Sequence, residues 1–119
     1  MADLEKKIQH HQDILSRYVE QLAQERNESL GSIGGYQAVT DTKHNQFQLI
    51  HISWFERQYS FKVLLHFSIN AQTGNIWVQQ NSTEIDLDTD FRDMGIPKTH
   101  LVLGFRPADM RELSDFAVA

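Results

Sequence analysis

Cysteine is absent from the 119 residues. That excludes disulfides, thiolate zinc sites, iron–sulfur clusters and cysteine nucleophiles. Two prolines and six glycines are too few for a collagen-like or low-complexity chain. No apolar run approaches the roughly 18 residues that span a bilayer. The opening Met1-Ala2-Asp3-Leu4-Glu5 is polar and acidic, which predicts no secretory leader. Basic charge is also scarce: 11 Lys and Arg stand against 16 Asp and Glu, a formal charge of −5. The basic residues are scattered singly apart from Lys6-Lys7. A stripe that would neutralise several phosphates is missing, so direct DNA binding is disfavoured. What remains is an ordinary globular mixture, 40% hydrophobic and 23% charged. It suits a single domain, residues 1–119, that buries one core without a covalent staple. The expectation is a soluble cytoplasmic protein.

The hydropathy pattern divides the chain into a helix, a strand-rich middle and a mixed final third. In residues 3–28, Leu4, Ile8, His11, Leu15, Tyr18 and Leu22 recur at alternating steps of four and three, one face of a long helix. Gly31, Gly34 and Gly35 supply its stop. His11 interrupts the heptads, so the stripe reads as a helix packed on its own sheet rather than a coiled-coil seam. Strands follow at 36–41, 46–55, 59–69 and 75–80. In the third, Tyr59, Phe61, Val63, Leu65, Phe67 and Ile69 alternate with polar residues, with Leu64 among the polar set. A tight connection at Arg57-Gln58 would pair Ile52 with Val63 and Ile50 with Leu65. Ile50, Ile52 and Trp54 would then share the face of the apolar row. Asn81-Ser82-Thr83 offer N-caps for a short acidic helix over 83–94, with Leu87, Phe91 and Met94 buried and Gly95 and Pro97 ending it. A strand at 101–105 and a helical segment from Pro107 to Leu113 follow. The apolar Phe116-Ala117-Val118-Ala119 is expected to dock on the body. The fold class is therefore α+β: a long N-terminal helix on an antiparallel sheet of about four to five strands, with two short helices in the C-terminal third. Trp54, Trp77 and Phe105 are expected in the core or at its edge.

Few residue constellations carry chemistry. Asp86, Asp88 and Asp90 match the opening of a calcium loop, but Phe91 stands where the turn needs Gly and Pro97 where the bidentate Glu belongs. The run instead suits the start of a helix, where negative charge is favoured. No nucleophile elbow and no phosphate loop is present. One histidine pair has geometric content. The hairpin register above makes His51 and His66 diagonal neighbours on the face opposite the core, where two imidazoles and a nearby carboxylate would serve a metal or a proton transfer. Polar residues on a half-exposed sheet face are the commoner explanation.

Several blocks together resemble the XisI-like family, the fdxN-element excision controlling factors of cyanobacteria. They are Phe47-Gln48-Leu49 before Trp54; His66 and Ile69; Gly74-Asn75-Ile76-Trp77-Val78-Gln79 before Thr83-Glu84; Gly95-Ile96-Pro97-Lys98 before Leu101-Val102-Leu103-Gly104-Phe105; then Pro107, Arg111 and the Phe116–Ala119 end. The resemblance covers nearly the whole chain and is weakest from Asn27 to Tyr36. This sequence departs from the family pattern at Ser53, where Gly is frequent, at Ser68 and Asn81, where Asp is frequent, and at Ile85-Asp86-Leu87. The resemblance implies an accessory, non-enzymatic role in programmed DNA excision during heterocyst development. It implies a companion controlling factor similar to restriction-endonuclease folds, and a separate site-specific recombinase that does the strand chemistry. It implies neither catalytic residues nor a cofactor. Thr83-Glu84, Lys98 and Arg111 are the polar motif residues least explained by folding. With Asp86, Asp88 and Asp90 they form the expected partner-binding surface. The alternative is a small metal-dependent hydrolase or nuclease built on His51 and His66. A long helix and a sheet edge would also serve a homodimer.

Overall fold

The computed structural model describes residues 2–30 and 35–119. Helix α1 (Ala2–Leu30) is followed by β1 (Gly35–Asp41), β2 (Gln46–Phe55), β3 (Gln58–Ile69) and β4 (Ile76–Asn81). Then come α2 (Leu87–Asp93), a 3-10 turn (Lys98–His100), β5 (Leu101–Leu103) and α3 (Ala108–Arg111). The Gly31 and Gly34 stop expected for the first helix lies outside the described residues. The sheet has five strands in sequential order, β1 to β5. The first four are antiparallel. β5 is parallel to β4, because the chain crosses over through α2 before returning. The sheet is thus mixed rather than wholly antiparallel, and the α+β class expected from the sequence is the one formed. Among the described residues no helix is long and apolar enough to cross a membrane.

α1 lies on one face of the sheet, and the apolar stripe read from the sequence is its buried face. Ile14, Leu15, Tyr18, Val19 and Ala23 join Phe47, Leu49, Leu65, Phe67, Ile69, Ile76 and Val78 in the core. Leu87, Phe91, Ile96 and Leu101 close it from the C-terminal third.

The β2–β3 hairpin departs from the expected register. Its two-residue loop is Glu56-Arg57, not Arg57-Gln58, and pairs Phe55 with Gln58. Both loop residues have positive φ, 48° and 68°, the mark of the primed turn whose twist matches the flanking strands. Ile52 therefore pairs with Phe61 and Ile50 with Val63. The register then shifts between Leu49 and Ile50, which leaves Leu64 as an extra residue. The apolar row of β3 is split by this bulge. Leu65, Phe67 and Ile69 face α1, and Val63, Phe61 and Tyr59 face the other way. Leu64, the apolar residue among polar ones, packs against the core cluster. Trp54 and Phe105 stand in solvent at 68% and 52% exposure rather than in the core.

The C-terminal third also differs in detail. α2 starts later than expected, with Asp86 as its N-cap accepting from the Thr89 amide. Asn81, Ser82 and Thr83 instead make a local turn: Asn81 Oδ1 accepts from the Thr83 amide at 2.9 Å, and Thr83 Oγ1 from the Ile85 amide at 3.1 Å. Gly95 (φ 87°) ends α2 as expected, and the Ile96 amide donates to Phe91 O at 2.8 Å across it. The last strand stops at Leu103 and the last helix spans only four residues. The apolar end does dock: Ala117 bridges Val102 in parallel, and Phe116 packs on the core.

Candidate functional site

A groove lies between α1 and α2. Residues at helical spacing on α1, Ile14, Arg17, Tyr18, Gln21, Leu22 and Glu25, form one wall. Asp90, Asp93 and Met94 form the other. Two adjoining stretches of about 240 and 380 Å³ share Tyr18, Gln21 and Met94. The floor is apolar, from Ile14, Leu22 and Met94, and the rim of the smaller stretch is acidic, from Glu25, Asp90 and Asp93. Tyr18 ties the two together. Its ring packs on Phe91 and Phe67, with centroids at 5.1 and 6.4 Å. Its hydroxyl donates to Asp90 Oδ2 at 2.6 Å. Burial and that carboxylate push the Tyr18 hydroxyl well above the usual phenol range, so it keeps its proton and Asp90 keeps its donor.

The residues singled out in the sequence do not gather in one place. Asp90 reaches the α1 groove. Asp86 and Asp88 line a separate apolar dent of about 160 Å³ with Ile85, Leu103, Phe105 and Phe116. Asp86 is committed to its helix: it accepts from Thr89 Oγ1 at 2.8 Å, and these Thr89 contacts hold its carboxyl below the usual range. Asp88 pairs loosely with Arg92 at 3.7 Å. Glu84 is exposed in the turn before α2. Lys98 reaches Asp115 at 3.3 Å. Arg111 sits over the Trp77 ring at 5.0 Å and donates to Arg106 O at 2.6 Å and Val118 O at 3.2 Å, so it pins the last residues onto the back of the sheet.

His51 and His66 lie on opposite faces. The bulge pairs His66 with Gln48 and His51 with Lys62, where the expected register made the two histidines neighbours. His51 stacks on Tyr36 at 4.3 Å, on the α1 side, with the Arg26 guanidinium over the same tyrosine at 5.5 Å. His66 is held by two amides: its Nε2 donates to Gln46 Oε1 at 2.7 Å, and Gln48 Nε2 donates to its Nδ1 at 2.8 Å. Both ring nitrogens are thus occupied, and desolvation lowers its pKa. Neither nitrogen has a lone pair left for a metal or a shuttled proton. Among the described residues no three His, Asp or Glu side chains converge on a metal-sized space.

A second polar cluster escaped the sequence reading. Lys7 and His11, one turn apart on α1, grip the turn between β3 and β4. Lys7 Nζ donates to Thr73 O and to Asn75 Oδ1, each at 2.9 Å. His11 is 1% exposed, and its Nδ1 lies 2.7 Å from Gly74 O. A carbonyl can only accept, so Nδ1 carries the hydrogen. Burial drives the His11 pKa down to about 4, with His100, Lys7 and His10 adding to the effect. Asn75 completes the cluster by donating to Ala119 O at 2.6 Å. Gly74 is required here twice over. Its φ is +74°, and a Cβ would stand 2.9 Å from the Lys7 side chain. The signal was present in the sequence, as a histidine inside an apolar stripe with a lysine four residues before it. The cluster is an anchor between helix and sheet.

The chain's likenesses agree with this picture. No curated protein matches it. A crystal structure of the fdxN element excision controlling factor XisI from Anabaena variabilis superposes with a TM-score of 0.74 at 23% identity, covering 95% of this chain and 99% of that one. A crystal structure of a XisI-like protein from Anabaena variabilis gives 0.75 at 26% identity, covering 98% and 99%. These likenesses extend over the helix, the sheet and the C-terminal third alike. The family model described as XisI protein matches residues 1–118, nearly the whole sequence, and the chain therefore belongs to the XisI family.

Proposed function

We propose that this protein is an accessory, non-enzymatic factor that controls excision of a DNA element by binding a companion protein of nuclease-like fold. Family membership supports the link to excision control, since a family relative is named for it. The observation that carries the binding reading is the α1–α2 groove. An apolar floor beneath Glu25, Asp90 and Asp93 fits a basic, partly apolar segment. A protein that handles DNA must display such basic surface, and an acidic partner groove competes for it. The recombinase complex would be met through the companion rather than directly.

The structure changes which residues should be tested. Asp86 caps α2 and Asp90 holds Tyr18, so reversing either disturbs the fold as well as the surface. Asp93, Glu25 and Glu84 are exposed and suit the test better. The protein is co-expressed with the companion factor encoded in the same genome, and the mixture is resolved by size with light scattering. A joint peak is expected, and Glu25→Lys with Asp93→Lys should weaken it about tenfold or more, in line with about 1.4 kcal/mol or more of charge complementarity. Two separate peaks from folded proteins would overturn the companion reading. A joint peak untouched by the reversals would overturn the groove.

A further inference from the structure

The β2–β3 hairpin runs past the rest of the sheet. β1 pairs with β2 only as far as Ile52, and β4 pairs with β3 only as far as Leu65. Beyond those points residues 53–63 form a two-stranded arm whose outer edges no other strand among the described residues pairs. The side turned away from α1 carries three directly opposed apolar pairs: Ile50 with Val63, Ile52 with Phe61, and Trp54 with Tyr59. Trp54 and Tyr59 are in ring contact at 5.0 Å. Yet Trp54, Tyr59 and Phe61 are 68%, 53% and 55% exposed. Ile50, by contrast, is buried but stands outside the core cluster, which marks this as a second apolar layer.

We propose that this ladder is the interface of a homodimer, packed face to face on the same ladder of a second copy about a twofold axis. Two observations select a second copy as the occupant. The first is area. Three aromatics at these exposures present roughly 400 Å² on one copy. Two copies hide about 800 Å² of aromatic surface, and an interface about two-thirds apolar would then total about 1,200 Å². That reaches the lower end of about 1,200 Å² for specific, stable interfaces. A patch of this size is comparable to the largest apolar patch of a typical monomer, which is often a functional surface. The second observation is charge. The chain carries −5 overall, and copies meeting at the α2 run of Asp86, Asp88, Asp90 and Asp93 would repel. The arm holds only Glu56, Arg57 and Lys62. Its tip has one charge of each sign at adjacent positions, which is self-complementary under a twofold operation.

The full-length chain is examined by sedimentation equilibrium over about 1 to 300 µM, the range in which a patch of this size should associate. The expected mass rises from 13.8 kDa to twice that value. Tryptophan emission should shift to the blue over the same range as Trp54 leaves water. Phe61→Lys and Tyr59→Ser, both at exposed sites, should each raise the dissociation constant about 30-fold or more with an unchanged far-UV spectrum. Asp93→Lys, in the α1–α2 groove, should leave it unchanged. A chain that stays monomeric throughout overturns the proposal. So does a dimer that Asp93→Lys dissociates while Phe61→Lys does not. Neither result bears on the companion reading, which is tested by a separate complex.

Discussion

The two faces of the β2–β3 hairpin are built from similar residues and have opposite fates. On the α1 side, Phe47, Leu49, Leu65, Phe67 and Ile69 are buried in the core. On the other side, Ile52, Trp54, Tyr59, Phe61 and Val63 form a ladder that no element of the described chain covers completely. One alternating row, Tyr59 to Ile69, contributes to both. The Leu64 bulge lets it change sides. Hydrophobic alternation therefore locates a strand, but what is buried depends on which layer lies above each half of it.

The comparison is tested most severely at two phenylalanines of that row. Phe67→Ala should cost about 3–5 kcal/mol of stability in urea unfolding, because it empties a fully buried site. Phe61→Ala, measured dilute enough to be monomeric, should cost less than about 1 kcal/mol. Equal losses would mean that the ladder is part of the folding core, and the contrast between the faces would disappear.

The edge of the α1 face gives the next largest effect. His11 is neutral when folded, with its pKa down at about 4 through burial. The unfolded chain binds that proton from about pH 6.5 downward. Stability supplied by the neutral ring is therefore full above about pH 6.5 and falls progressively toward pH 4, by roughly 2–3 kcal/mol. His11→Gln should flatten that part of the profile, although it lowers stability at pH 7. A profile equally steep in the variant would move the acid sensitivity elsewhere.

Smaller effects are expected where the chain is turned or capped rather than packed. Gly95→Ala should cost about 1 kcal/mol by thermal unfolding, since open space surrounds the site and only the positive φ resists a side chain. Asp86→Ala should cost about 1 kcal/mol through loss of the α2 cap. On the back face, Arg111→Ala should cost about 0.5–1 kcal/mol by releasing Trp77. It should also speed proteolysis of the last residues, which Arg111 ties down through Val118 O. Loss of more than that would make the C-terminal segment part of the core rather than a cover.

Much of this molecule was legible because local periodicity reflects local geometry. The 3.6-residue stripe of α1, the alternation of β3, the Gly95 stop and the docked apolar end follow from residue order alone. So does the family, whose blocks of turn and core residues report a fold. The hairpin register differs from the expected one because Glu and Arg are not the usual residues of a primed turn; moving the loop by one residue shifts the pairing by two and keeps the faces, and the Leu64 bulge then exchanges them. Without that bulge His51 and His66 would share one face of the sheet. Leu64, apolar among polar neighbours, was the sign of the bulge.

The sequence by itself determined the element types, the buried side of α1 and the lack of thiol and nucleophile-motif chemistry, because these depend on residue identity and near-neighbour spacing. Tertiary structure alone decided that His11 and Lys7 clasp Gly74 and Asn75 some sixty residues away. It also decided that Tyr18 meets Asp90 across a groove, and that three aromatics of an apolar row stand in water. The reason is the same in each case. Burial and pairing are set by which distant surface arrives opposite a side chain, and nothing in a strand's or helix's own spacing encodes that arrival.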